Sequence, residues 1–381
     1  MTDTTEDKLL DVVEEYSAAN QTDGFQDAYR IWRRRAGNPY GFDFVRNPKE
    51  AAFSENQSIV SKTPAQAEQT ALKQLGILFG ACLLLYLLIE NLLDKLLVEL
   101  AQMIGMHIET MYWGESRYYG DDLTVFLFSA SLQILKLLVP ILLISLSLKM
   151  PLQISMPIPV TNMRQLLNSI SLMMLLSVGL GFSMISRSTE MEKYHVISDA
   201  AGTGNHWIIL YILFTVFIVP LFWELLFHSC MFQALRQFGD LFAVAAVTFM
   251  ATILTHNLQD AIRQGLVTLT ISFFMIRTGS FLTAIVLRII HEIYMFALFQ
   301  LENFGDMYST RWWIVILFPC FVGLLTLIVL TVSDKTETEQ TRQNRDYMTF
   351  SDQITAFFTA FPMMLAVIIC VLLIIMSAML A

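Results

Sequence analysis

Hydrophobic and polar positions divide the chain near residue 73. Before it, apolar residues are sparse, and Leu9, Leu10, Val12, Val13 and Tyr16 recur at the spacing of a short amphipathic helix. A second helical stretch is predicted to end near Arg33, Arg34 and Arg35, ahead of the turn-forming run Gly37-Asn38-Pro39-Tyr40-Gly41. From residue 74 onward the pattern changes to long apolar runs, read as membrane segments at 74–93, 123–148, 165–187, 207–236, 241–257, 261–277, 280–301, 311–332 and 355–380. A run of roughly 20 apolar residues crosses the ~30 Å hydrocarbon layer as one helix. The pattern therefore predicts an all-α, polytopic integral membrane bundle of eight or nine transmembrane helices with a short polar N-terminal extension. The segment at 261–277 is the least apolar, because Arg263 and Gln264 crowd its start. Past the first span, Lys95 and Glu99 stand four apart, a spacing at which they can pair at the surface.

Composition agrees with that solvent: 55% of residues are hydrophobic and 15% charged, with a mean hydropathy of +0.56. Soluble domains carry about 25% charged residues. Loop charges give an orientation. With the N-terminus inside, the cytoplasmic connections hold Lys149, Arg164, Arg236, Arg277, Lys335, Arg342 and Arg345. The opposite loops are mainly acidic, with Glu109, Glu115, Asp121, Asp122, Glu302 and Asp306. This matches the positive-inside rule and predicts a cell-membrane protein with a cytoplasmic N-terminus. The acidic start MTDTTEDK has no apolar run behind it, so no secretory signal peptide is expected. Cys82, Cys230, Cys320 and Cys370 all fall inside apolar segments, which argues against a disulfide framework. The arginine run at 33–35 reads as an exposed basic turn or as a contact for anionic headgroups.

Ionisable groups in the apolar layer are costly and therefore mark candidate sites. His228, His256 and His291 lie within the predicted spans, and Glu224 is the carboxylate in the middle of FIVPLFWELLFHSCMFQAL. At ~1.5 Å rise per residue, these four stand about 12 to 24 Å from the nearest basic or turn residue at the cytoplasmic end, one layer of the membrane. Glu224 and His228 are four apart and share a helix face. A self-satisfied buried pair that helps helices pack is the plain reading of that spacing. Convergence with two further histidines favours a site.

The same residues carry a resemblance. Trp223-Glu224-Leu225-Leu226-Phe227-His228 stands where the CPBP (CAAX-protease and bacteriocin-processing) family of intramembrane endopeptidases has EExxFR. Thr252 and His256 in FMATILTHNL stand on its FxxxH motif. His291 and Met295, after the turn Arg277-Thr278-Gly279-Ser280, stand on HxxxN. The lead-in KMPLQISMPIPV is similar to the family's as well. The chain resembles this family most over about 205–300 and less closely from about 120. Four stretches follow: a polar cytoplasmic extension at 1–73, N-terminal transmembrane helices at 74–204, core helices with the motifs at 205–305, and C-terminal transmembrane helices at 306–381.

The resemblance implies a helical intramembrane endopeptidase, its site open towards the cytoplasm. A glutamate and a histidine would activate water while a second histidine and the asparagine stabilise the oxyanion. Glu224, His256 and His291 are retained, with His228 beside them as a fourth candidate. The departures are Trp223 for the first glutamate, His228 for the arginine, Thr252 for the phenylalanine and Met295 for the asparagine. Three readings stay open: CAAX-type peptide hydrolysis with altered chemistry, a catalytically silent scaffold for a membrane peptide or a self-immunity partner, and a structural or transport-related protein. Glu224, His228, His256 and His291 are also a set that could ligate zinc, although no HExxH motif supports it. The expected partners are bilayer lipid and a prenylated or hydrophobic peptide; no nucleic acid is expected.

Overall fold

The computed structural model describes residues 23–33, 64–113, 115–120, 122–159, 163–184, 207–255, 257–304, 310–333 and 348–380. The expected helix around Leu9–Tyr16 lies outside them. So do Arg34, Arg35, Arg342, Arg345 and His256.

The described chain is a helical bundle. Helix α1 is Asp23–Arg33. Helix α2, Pro64–Leu88, continues through a π-helical turn at Ile89–Leu93 into α3, Asp94–Met103. After α4 (Asp122–Leu148) and the short α5 (Leu152–Ser155) comes α6, Met163–Met184. A long rod then runs through α7 (Trp207–Leu213), a π segment at Phe214–Ile218, α8 (Val219–Glu224), a π segment at Leu225–Phe232 and α9 (Gln233–Leu235). Helices α10 (Asp240–Ile253), α11 (Leu258–Thr278), α12 (Phe281–Phe304) and α13 (Thr310–Ser333) follow. The chain closes with α14 (Phe350–Phe358) and α15 (Phe361–Leu380).

Six helical stretches among the described residues are long and apolar enough to cross a membrane: Ala65–Leu93, Thr124–Leu148, Met163–Gly181, Phe214–Phe238, Phe281–Leu298 and Phe361–Met379. Asp240–Ile253 and Leu317–Thr326 are shorter apolar helices. This is a multi-pass membrane protein. Large apolar side chains face outward along it, such as Leu146 at 72% and Met379 at 81% exposure, as lipid-facing positions do.

Three details depart from the pattern. The connection after α3 is a two-stranded antiparallel hairpin, β1 (Ile108–Trp113) with β2 (Glu115–Gly120), where the reading was all-α. The expected span at 355–380 is two helices, broken at Thr359–Ala360 ahead of Phe361-Pro362; Pro362 falls in the first turn of α15, where its missing N–H costs nothing. Residues 261–277 do form a helix, α11, but its polar face keeps it out of the apolar spans.

Polar contacts fix the helices that carry the site. Gly279, with φ of 65°, terminates α11, and its N–H reaches the Met275 carbonyl at 2.9 Å. Phe281 N–H then donates to Pro157 O at 2.8 Å, which ties the start of α12 to the proline-rich connector. Asn257 caps α11 by accepting from Gln259 N–H at 2.9 Å. On α1, Phe25, Tyr29 and Trp32 share one buried face. Trp32 Nε1 donates to Leu148 O at 2.8 Å and Tyr29 OH to Gln233 O at 2.9 Å. The N-terminal helix thus satisfies carbonyls at the ends of α4 and of the rod. Arg236, counted above among loop cations, is buried, with Nε 2.9 Å from Asp240 Oδ1.

Candidate functional site

Glu224 closes α8 and His228 lies one turn on, within the π segment. The i,i+4 spacing places both on one face. Both are buried, at 1% and 0% exposure, where an unpaired charge would be prohibitive. Glu224 Oε2 lies 2.5 Å from His228 Nδ1. The two atoms are in contact without forming a hydrogen bond. The second ring nitrogen, Nε2, is 2.9 Å from Ser272 Oγ on α11. Widened π turns recur at functional positions, and here one carries the histidine.

His291 sits on α12 between two partners. Its Nε2 is 3.3 Å from Arg263 Nη1 and its Nδ1 2.9 Å from Ser177 Oγ. A guanidinium only donates, so Nε2 is the accepting, unprotonated nitrogen and Nδ1 carries the hydrogen. Ser177 completes the assignment: its hydroxyl donates to Met173 O at 2.7 Å, leaving its oxygen to accept from Nδ1. His291 is thus held neutral, in one tautomer, by α6 and α11 together.

Around Arg263 lies a buried set of charges. Asp260 Oδ1 is 3.9 Å from its Nε, and Glu292 and Arg288 act on it electrostatically. Arg288 Nε stands 3.4 Å from Glu292 Oε1, and the Arg288 guanidinium lies over the Trp223 ring, 5.8 Å from its centroid. Trp223 also packs on Phe227, with centroids 4.7 Å apart, and meets Tyr86 edge-on at 6.5 Å. Beyond Tyr86, Lys136 Nζ pairs with Glu90 Oε1 at 2.8 Å and lies 5.1 Å from the Tyr86 ring centroid. The position where the resemblance expects a carboxylate therefore presents an aromatic face to a cation.

Of the four residues singled out by sequence, Glu224 and His228 touch, and His291 belongs to a second set. Both histidines are anchored on α11, at Ser272 and Arg263, about 13 Å apart along the helix at 1.5 Å per residue. Thr252, one turn before His256, spends its hydroxyl on Thr248 O at 2.7 Å, and Met295 is buried. Ser272, Ser177, Arg263, Arg288, Glu292 and the Lys136–Glu90 pair were not among the sequence candidates. The charged ones carry the signal that singled out Glu224, an ionisable group in an apolar run. The serines carry none.

His256, one of the four candidate zinc ligands, lies outside the described residues. Among the described residues no three of His, Cys, Asp and Glu converge on one point. The free lone pair of His291 is given to a permanent cation, which repels a second one.

Comparison with known proteins bears on this geometry through one family match. Residues 205–294 match the family model of the Rce1-like type II CAAX prenyl endopeptidases, a stretch that includes Glu224, His228, Arg263, Ser272, His291 and Glu292. No curated protein and no solved structure matches the chain.

Proposed function

We propose that the chain, whose residues 205–294 match the Rce1-like type II CAAX prenyl endopeptidases, hydrolyses a peptide bond of a prenylated or otherwise hydrophobic peptide at the membrane. The observation that supports this most is the buried contact of Glu224 Oε2 with His228 Nδ1 inside the matched stretch. A carboxylate backing an imidazole is a proton-accepting pair, and in a dry helical interior it is not levelled by water. The excess of Lys and Arg on alternate loops favours the cell membrane with the N-terminus cytoplasmic.

The second reading, a silent scaffold that binds a membrane peptide, draws on Trp223 and Met295. Where the family pattern has a carboxylate and an amide, these side chains offer no proton acceptor and no amide. A quenched prenylated peptide, with its unprenylated twin as control, separates the two. Purified chain in lipid nanodiscs should cleave the prenylated peptide faster. Binding without cleavage, by protein shown to be folded, would leave the scaffold reading in possession.

A further inference from the structure

Two histidine–serine pairs lie buried in this bundle, and they are wired in opposite senses. In the His291 pair, Ser177 gives its hydrogen to Met173 O, and the imidazole's lone pair is taken by Arg263. That histidine cannot withdraw a proton from that serine. In the other pair, the order is Glu224 Oε2, 2.5 Å, His228 Nδ1; then His228 Nε2, 2.9 Å, Ser272 Oγ. A carboxylate at Nδ1 favours the tautomer that carries its hydrogen there, which turns the Nε2 lone pair towards the serine hydroxyl. This is the connectivity of an acid–histidine–serine triad, a constellation recognised by geometry and roles on unrelated folds.

Ser272 also behaves unlike its neighbours. Helical hydroxyls often bond back to their own helix, as those of Ser177, Thr252, Thr270 and Thr278 do to carbonyls four residues earlier. The Ser272 hydroxyl instead meets the imidazole of a different helix, 44 residues away in sequence. Its backing carboxylate and histidine are themselves fully enclosed.

We propose that Ser272 is a nucleophile, with His228 as its general base and Glu224 as the group that orients and charge-balances the imidazole. The proposal rests on the hydrolytic reading above and names a covalent route for it. Ser272 Oγ attacks the scissile carbonyl as its proton passes to His228 Nε2. The tetrahedral intermediate collapses by expelling the amine, which takes that proton, and an ester to Ser272 remains. Water then attacks the ester, gives a proton to Nε2, and the hydroxyl of Ser272 is restored as the carboxylic acid leaves. No oxidant, metal or further reactant is needed. The 2.5 Å contact lacks hydrogen-bond alignment, and catalytic hydrogen bonds often align only in the substrate complex. The substitution that breaks the family pattern, histidine for arginine at 228, is the one that supplies the base.

The test uses the full chain in nanodiscs and a decyl fluorophosphonate bearing an alkyne, which phosphonylates activated serines. The adduct should map by mass spectrometry to Ser272, vanish in Ser272→Ala, and form at least about a hundredfold more slowly in His228→Ala. Cleavage of the prenylated peptide should fall by a similar factor in both variants. Wild-type cleavage by Ser272→Ala, with no adduct on the wild-type chain, would overturn the proposal and leave Glu224 acting on water directly. An adduct on Ser272 without peptide cleavage would keep the triad and remove the peptide substrate. Neither adduct nor cleavage would remove both. The wild-type adduct needs no substitution, so it cannot be confused with misfolding.

Discussion

At the scale of single residues, charge buried in lipid is kept only where it is answered. Lys136 on α4 answers Glu90 beside α2 at 2.8 Å, with a fifth of the Glu90 side chain still exposed. Removing one partner of a buried ion pair typically costs 3–5 kcal/mol, because the other charge is stranded. Lys136→Met should therefore destabilise the chain by about 3 kcal/mol, nearer the low end for a pair this exposed. Lys136→Met with Glu90→Gln should recover most of the loss, read as thermal unfolding midpoints in one detergent. A double variant no better than the single would show that the pair does not carry this stability. The sequence exposed Glu224, His228 and His291 because each is an expensive group in an apolar run. It did not expose Ser272 or Ser177, whose hydroxyls fit any helix, because which one meets an imidazole depends on helix rotation.

At the scale of elements, close approach decides the packing of α2. Gly76 and Gly80 stand four apart on one face, and a Cβ on either would overlap backbone of the α14–α15 corner: Phe357 O for Gly76, Met363 N for Gly80. Small residues at this spacing let helix backbones touch in a membrane. Gly80→Leu should abolish recovery of folded, monodisperse protein. Gly179→Ala, whose Cβ would meet open space in α6, should be tolerated, and size-exclusion profiles of the two variants compare them directly. Apolar run length located most helices of the bundle, since that signal is additive along the chain. It missed the hairpin at 108–120, where strand pairing is a relation between two segments. It merged α14 with α15, because apolar run length outweighed the boundary signal of Pro362. The π segments at 214–218 and 225–232 were equally hidden, since one extra residue per turn leaves the apolar pattern intact.

At the scale of the whole molecule, two polar sets are assembled across the bundle. The rod supplies Glu224 and His228, α11 supplies Ser272 and Arg263, α12 supplies His291, and α6, outside the matched stretch, supplies Ser177. The sequence placed Glu224, His228, His256 and His291 in one layer, which depth alone could do. It could not separate His291 from Glu224 and His228, because azimuth around each helix is fixed only by packing. Hydrolysis at Glu224 and His228 is the claim on which the account stands. The measurement that tests it most directly compares wild type with Glu224→Gln on the quenched prenylated peptide in nanodiscs, with folding of both checked by thermal unfolding. The account expects cleavage by the wild type and at least about a hundredfold loss in the folded variant. Equal cleavage by the two proteins would contradict it.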